Sequence, residues 1–324
     1  MKKDKYKIIT IGKEYSGLKL DKFLYSIFSN TNNTLIQKAL RNKDILVNEQ
    51  TVKNNYHLKL NDNVMFSDFI IKIFNSNKIE KKPKKEIFIS DSDLEKFKSF
   101  IIYEDKNIIA INKPRGLAVQ SGTKIEKSVN DFLKYLKNDG EETPKLAHRL
   151  DKDTSGILIL AKNKMVAELL SEYFKNKDKN IEKIYLALVV GKFTKTKGEI
   201  KIPLLKKLEN GVEKVYKDEN NGKEAITLYE VIGYSEQYNI SLVKVKLLTG
   251  RTHQIRVHMK EIGHPILGDG KYGSKKAFVD SLSNNMHLHA YLLTINNLLG
   301  KNINIKAEPP KEFKETIQKI GIKL

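Results

Sequence analysis

The residues whose types and spacing bear on chemistry centre on Asp151. It stands inside His148-Arg149-Leu150-Asp151-Lys152-Asp153-Thr154-Ser155-Gly156, which sets cations, two carboxylates, two hydroxyls and a glycine within nine positions. An apolar run, Ile157-Leu158-Ile159-Leu160-Ala161, follows directly. Turn residues feeding an apolar run read as a loop entering a buried strand. Such a loop holds one carboxylate at a fixed place in a cleft, although an isolated acidic turn is more often a solvated surface feature. Other groupings of reactive types offer less. His148, Asp151 and Ser155 are the residue types of a hydrolytic triad but lie too close in sequence to converge, and no Gly-x-Ser-x-Gly elbow exists. His253 and His258 are five apart, off one helical face and on opposite faces of a strand, so a shared metal is not expected. Lys271-Tyr272-Gly273-Ser274 lies in a Gly-rich loop without the phosphate-loop pattern. The absence of cysteine excludes thiolate nucleophiles, disulfides and zinc–thiolate sites.

The charge balance points to a polyanionic partner. Lys and Arg total 59 against 39 Asp and Glu, a net charge of +20, and an excess of this size favours phosphate neutralisation with counterion release. A general drift toward Lys and Asn accounts for part of it. The arginines are more telling, because there are only Arg41, Arg115, Arg149, Arg251 and Arg256. A chain that uses Lys nearly everywhere has kept Arg where a planar, bidentate fork matters. No apolar run reaches the length of a membrane span, and the Lys-rich start lacks a signal-type apolar core. A cytoplasmic location is therefore the expectation.

Two parts must position these groups. Residues 1–77 open with a strand-like Lys7–Ile11, then two helical repeats (Leu18 to Phe28 and Leu35 to Leu40) separated by Ser29–Asn33. Ile45–Glu49 and Leu58–Val64 read as short strands. Residues 78–90 form a charged, Pro-containing linker. In residues 91–324, Ile108–Ile111, Ile157–Ala161, Tyr185–Val190 and Val243–Leu248 read as strands. Asn130–Leu136 and Lys164–Phe174 have helical spacing, and Lys175–Asn180 reads as a polar loop. Many strands with a few helices predict an α+β fold around a mixed sheet.

Five ordered segments resemble the motifs of the RluA family of pseudouridine synthases. They are Ile111–Val119, the nonapeptide at Asp151, Lys183–Val189, Leu248–His258, and Gly263–Asp269 with Leu288-His289-Ala290. The resemblance implies a curved, mostly antiparallel sheet with a central cleft. It implies isomerisation of uridine to pseudouridine in RNA, with no cofactor, no metal, and Asp151 as the catalytic carboxylate. Two roles for Asp151 stay open: nucleophile at the anomeric carbon, or base at the ribose 2′ position. Arg256 is expected to pair bidentately with Asp151, Tyr185 to stack on the base, and Ile255 to wall the base pocket. Arg149 is expected to fill the gap left by the flipped nucleotide. Lys113, Arg115 and Arg251 are expected at phosphates or substrate.

The first 77 residues resemble an S-four-like RNA-binding domain, which would turn Lys38, Arg41 and Lys43 toward phosphates. The wording of Thr249–His258 and the short connection between the Lys113 motif and Asp151 are similar to the RluC branch, which implies large-subunit ribosomal RNA as substrate and a monomeric enzyme. An RluD-like enzyme, a transfer-RNA enzyme and a non-catalytic ribosome-assembly factor are the alternatives. Uracil methyltransferases and dihydrouridine synthases need the cysteine this chain lacks.

Overall fold

A computed structural model describes residues 6–28, 31–75, 87–121, 126–175, 180–209 and 212–323. The linker expected at 78–90 falls outside these residues up to 86, as does most of the polar loop 175–180. The chain forms two compact units, residues 1–86 and 87–324.

In the smaller unit the strands Tyr6–Thr10, Asn63–Ser67 and Ile45–Val47 make an antiparallel sheet with Asn63–Ser67 in the middle. Helices Leu20–Ile27 and Asn33–Arg41 bring Leu20, Phe23, Leu24, Ile36, Ala39 and Leu40 onto it. Asn32 caps the second helix, its side chain accepting the Leu35 N–H. The strand expected at Leu58–Val64 begins only at Asn63. Asp62, 6% exposed, accepts the N–H of Lys59, the amide of Asn48 and the hydroxyl of Tyr56. That carboxylate gathers residues 56–62 into a turn. Asp68–Asn75, rich in β-branched residues, is a helix, because Ile70 and Phe74 pack into the core at helical spacing.

The larger unit is built on a ten-stranded sheet. Its central run is Ile101–Glu104, Ile108–Lys113, Ser155–Ala161, Leu288–Leu298, Ile181–Val190, Ile240–Leu247, Ile226–Ser235 and Lys197–Lys201. Period-2 alternation splits these strands between two cores. Ile109, Ile111, Leu158, Leu160, Ala187, Val189, Val243 and Val245 share one face. Ile108, Ala110, Ile157, Ile159, Ala161, Leu293 and Ile295 pack on the other, under helix Lys164–Lys175. Further along, helix Lys311–Lys319 covers Leu186, Leu188, Ile240 and Leu242 with Phe313 and Ile317. Burial on both faces explains why Ser155–Ala161 is an uninterrupted apolar run rather than an alternating one.

Among the described residues the pairs of this sheet are antiparallel with one exception. Leu288–Leu298 runs parallel to Ser155–Ala161, with His289 opposite Ser155 and Ala290 opposite Gly156. The two strands press together there. Gly156 has φ +108°, and a Cβ on it would stand 2.2 Å from the Ala290 carbonyl oxygen. Only glycine fits that crossing, and the crossing fixes where the Asp151 loop enters the sheet.

Candidate active site

The loop before Ser155 is tied down from beneath. The Lys152 carbonyl accepts the Gly116 N–H at 2.9 Å and the Lys113 ammonium at 3.1 Å. Lys113 also donates to the carbonyls of Pro114 and Leu117, both at 2.9 Å. Lys113 was expected at a phosphate, and the structure corrects this: its side chain is 0% exposed. Burial pulls its pKa down to about 7, with Asp153 and Asp151 opposing. The side chain folds back under the Pro114–Leu117 turn, where three carbonyls replace the water an ammonium requires. Ser155 adds a second tether, its hydroxyl 2.9 Å from His289 Nδ1, whose Nε2 lies 3.0 Å from the Ala307 carbonyl.

Above this floor Asp151 faces a cleft of about 1130 Å³, larger than a typical small-molecule pocket. Arg115, Arg149, Asp151, Tyr185, Arg251, Ile255 and Arg256 all line it. Lys152, Lys183, Lys206 and Lys271 line it as well, so its cations outnumber Asp151, Asp153, Glu213 and Asp269. Lys183 precedes Tyr185 by two on strand Ile181–Val190, which puts both side chains on one face. That spacing was visible in the sequence and marks Lys183 as a cleft residue. Tyr185 is 9% exposed. Burial raises its phenol above the ordinary value and the charge of Asp151 raises it further. It therefore presents a neutral aromatic surface. Ile255, 4% exposed, belongs to the adjoining core.

Arg256 and Ile255 come from helix Gln254–Glu261, in which Gln254 to Met259 are all buried. Its start is set by Gln254, whose side-chain oxygen accepts from Thr249 and the Arg251 N–H, and whose amide donates to Ile226 O and Thr227. Arg256 is expected to grip Asp151 with both arms of its fork, and here the structure differs. Nε and Nη2 pair with Asp269 at 2.8 and 2.7 Å, and Asp151 receives only Nη1 at 3.5 Å. Asp269 is 1% exposed and lies in the turn after Ile266-Leu267-Gly268, where it meets the guanidinium side-on. Burial opposes the charge on Arg256, but Asp269 and then Asp151 outweigh it and hold the guanidinium above its ordinary value. Tyr272 lies under the guanidinium, 5.0 Å from ring centroid to Cζ. Neither Asp269, which ends the Gly263–Asp269 motif segment, nor Tyr272 is among the expected site residues.

The remaining expected residues divide. Arg149 is exposed in the cleft, and Arg251, also exposed, donates from Nε to the Glu224 carbonyl at 3.0 Å. Arg115 pairs with Glu312 at 3.1 Å. Lys38, Arg41 and Lys43 are exposed on the second helix of the smaller unit and the turn after it. His258 bonds to Thr227 and the Ile202 carbonyl at 2.9 and 3.0 Å. Among the described residues no cluster of three or more His, Asp or Glu is arranged to hold a metal ion, and no helix is long and apolar enough to cross a membrane.

Residues 107–261 match the family model described as RNA pseudouridylate synthase. A ribosomal large subunit pseudouridine synthase C of Rickettsia bellii is 39% identical over 313 residues, covering 94% of this chain and 99% of the relative. The enzyme of the same name from Pasteurella multocida is 31% identical, covering 96% and 93%. Among solved structures, human RNA Pseudouridylate Synthase Domain Containing 4 superposes with a TM-score of 0.59 at 27% identity, covering 71% of this chain and 96% of that one. With a relative of this identity matched along nearly its whole length, and the family's motifs gathered around one cleft, the chain belongs to the RNA pseudouridine synthases.

Proposed function

We propose that this enzyme converts uridines of large-subunit ribosomal RNA to pseudouridine, with Asp151 as the reacting carboxylate. The observation that carries the reading is the loop carboxylate Asp151, backed by Arg256 and set in a cation-lined cleft whose wall includes a neutral, buried Tyr185. The relatives named for large-subunit RNA supply the substrate class. We place the enzyme in the cytoplasm, acting as a monomer on its RNA.

The chemistry balances within the substrate. The bond from uracil N1 to the ribose anomeric carbon breaks, the base rotates, a bond forms from C5 to the same carbon, C5 gives up its proton, and N1 takes up one in its place. Asp151 acts either by adding to the anomeric carbon as uracil leaves and departing again when C5 bonds there, or by taking the 2′ proton to give a glycal and returning it to C2′ as C5 bonds to the anomeric carbon. Both need an ionised carboxylate that is not consumed by its own counter-ion. Tyr185 offers a flat face on which the detached base turns without being anchored. The cationic lining holds the backbone of the flipped nucleotide and its neighbours.

The test uses ribosomal RNA transcribed with uridine tritiated at C5. Conversion releases that tritium to water, and mapping locates the product. The whole chain should release tritium at defined positions, and the Asp151→Asn variant should bind RNA but release none. Turnover by Asp151→Asn, or no product from the wild-type chain on large-subunit RNA, overturns the assignment.

A further inference from the structure

A second pair of side chains stands beside Asp151 with no task in the scheme above. His253 Nε2 lies 3.6 Å from Asp151 Oδ2, the same oxygen that Arg256 approaches. The other ring nitrogen, Nδ1, lies 2.6 Å from the Tyr272 hydroxyl. His253 precedes helix Gln254–Glu261 in the left-handed region, at φ +53°, and its side chain makes no capping bond. The capping position normally carries a short polar residue that accepts a helix N–H. Here the position is conformationally expensive, yet its side chain does nothing for the helix and turns wholly to Tyr272 and Asp151.

The hydrogen bonds of Tyr272 decide where the ring proton sits. Its hydroxyl accepts the Val215 N–H at 3.1 Å. A phenol has one proton to give. If His253 donated from Nδ1, the hydroxyl would accept twice, and among the described residues its own proton would have no bonded acceptor. The pattern closes when Val215 donates to the hydroxyl and the hydroxyl donates to Nδ1. The ring proton is then on Nε2, facing Asp151. Burial lowers the imidazole below its ordinary value; Asp151 opposes this, and Arg256 and Lys271 reinforce it, which favours the neutral ring.

We infer that His253 is a positioning residue for Asp151: a neutral imidazole, locked by Tyr272 as the Nε2–H tautomer, that donates to Oδ2 and so fixes which carboxylate oxygen meets the ribose. The inference rests on the assignment of Asp151 as the reacting group. At 3.6 Å the contact is longer than a hydrogen bond. Catalytic hydrogen bonds of unliganded enzymes commonly tighten only when substrate is bound. The Nη1 contact of Arg256 is open to the same degree, at 3.5 Å. A small shift of the Asp151 loop toward helix Gln254–Glu261 closes both together. A neutral donor suits this place better than a second cation, because it orients the carboxylate without adding another full charge that would weaken its basicity.

The experiment combines single-turnover rates at saturating RNA, RNA affinity, and the imidazole nitrogen spectrum of the isotopically labelled whole chain. His253→Ala should lower the single-turnover rate at least tenfold while RNA affinity stays within twofold. His253→Gln, which keeps an N–H near the position of Nε2, should recover part of that loss. The wild-type signal that disappears in His253→Gln should have the Nε2–H pattern at pH 7.5, and Tyr272→Phe should move it away from that pattern. The inference is overturned by a wild-type rate in His253→Ala, by His253→Gln being as slow as His253→Ala, by an imidazolium or Nδ1–H signal in the wild type, or by an unchanged tautomer in Tyr272→Phe. Failure of the functional reading is a separate result, since the wild-type chain would then make no pseudouridine while the tautomer is still read from the spectrum.

Discussion

Asp269, not Asp151, holds the fork of Arg256. Its carboxylate takes Nε and Nη2 at 2.8 and 2.7 Å, and the N–H groups of Lys271 and Tyr272 hold it in turn at 3.0 and 3.2 Å. The plane of the guanidinium is thereby fixed, and only Nη1 is directed at Asp151. A carboxylate clamped by both arms would be well stabilised but a poor base and a poor nucleophile, since its lone pairs would be committed. Splitting the fork gives Asp269 the structural pair and leaves Asp151 only the long Nη1 contact from that guanidinium, made to Oδ2, the oxygen His253 also approaches.

This division predicts unequal effects. Arg256→Lys keeps the charge but cannot serve two carboxylates in one plane. Turnover should fall on the order of a hundredfold, as for a lost charge-stabilising donor. Asp269→Asn leaves Arg256 buried without its partner, a change that costs about 3–5 kcal/mol when a buried pair is broken, so the melting temperature should drop along with turnover. The two losses should not add in the double variant. Additive losses in single-turnover assays would show that Asp269 and Arg256 act independently.

Much of this arrangement could be read from the chain itself. The strands at Ile157–Ala161 and Tyr185–Val190 announced themselves as apolar runs beside turn residues, and both lie within observed strands. Those runs placed the loop that carries Asp151 and the strand that carries Tyr185, but the roles of both residues were implied only by the resemblance of their motifs to the family. Helix Gln254–Glu261 was not legible, because it is buried on every side and its apolar residues, Ile255, Val257 and Met259, alternate like a strand. Asp269 lies thirteen residues beyond Arg256 in another segment, so only the folded sheet brings them together. Lys113 misled because lysine defaults to the surface, and nothing local in Lys-Pro-Arg-Gly-Leu shows three carbonyls converging on one ammonium.

Lys113→Met tests that convergence. The side chain keeps its length and loses its three donors. The carbonyls of Pro114 and Leu117 lose a partner, while Lys152 keeps the Gly116 N–H. A fully buried acceptor left unpaired costs about 1–3 kcal/mol and these part-buried carbonyls less, and each kcal/mol lowers the melting temperature of a domain this size by roughly 2–4 °C. A drop of several degrees is expected, with slower turnover as the Asp151 loop loosens. Unchanged melting would mean that the ammonium contributes nothing net.

Buried His289 and half-buried His148 set an acid limit. Burial takes His289 down to about 4 and His148 down to about 3. Lys183 adds to the effect on His148, and the backbone bonds at Ala307 and Arg149 oppose these shifts. An unfolded histidine titrates near 6.5. Between those values the unfolded chain binds protons that the folded chain refuses, so stability is full above about pH 6.5 and falls as pH drops toward 4. Each such histidine contributes a slope of up to about 1.4 kcal/mol per pH unit. Melting temperatures should therefore decline from pH 7 to pH 5, and His289→Leu should be less stable at pH 7 but flatter in its pH dependence. Equal slopes in the two proteins would mean that His289 is protonated in the fold.

The smaller unit is expected to add RNA affinity through an S-four-like surface that includes Lys38, Arg41 and Lys43, all exposed on and just after helix Asn33–Arg41. Lys38 and Arg41 are three apart on that helix and share one face. Phosphate contacts release counterions, so each one lost should lower the slope of log affinity against log salt by roughly one. Residues 87–324 carry their own core, and a chain beginning at residue 87 should fold. It should bind large-subunit RNA more weakly and with a flatter salt dependence, yet recover most of its turnover at saturating RNA. Changing Lys38, Arg41 and Lys43 together to Gln in the whole chain should reproduce the affinity loss without the truncation. Full affinity in both proteins would reduce the smaller unit to a structural cap, and a folded but inactive 87–324 chain at saturation would place that unit in the chemistry itself.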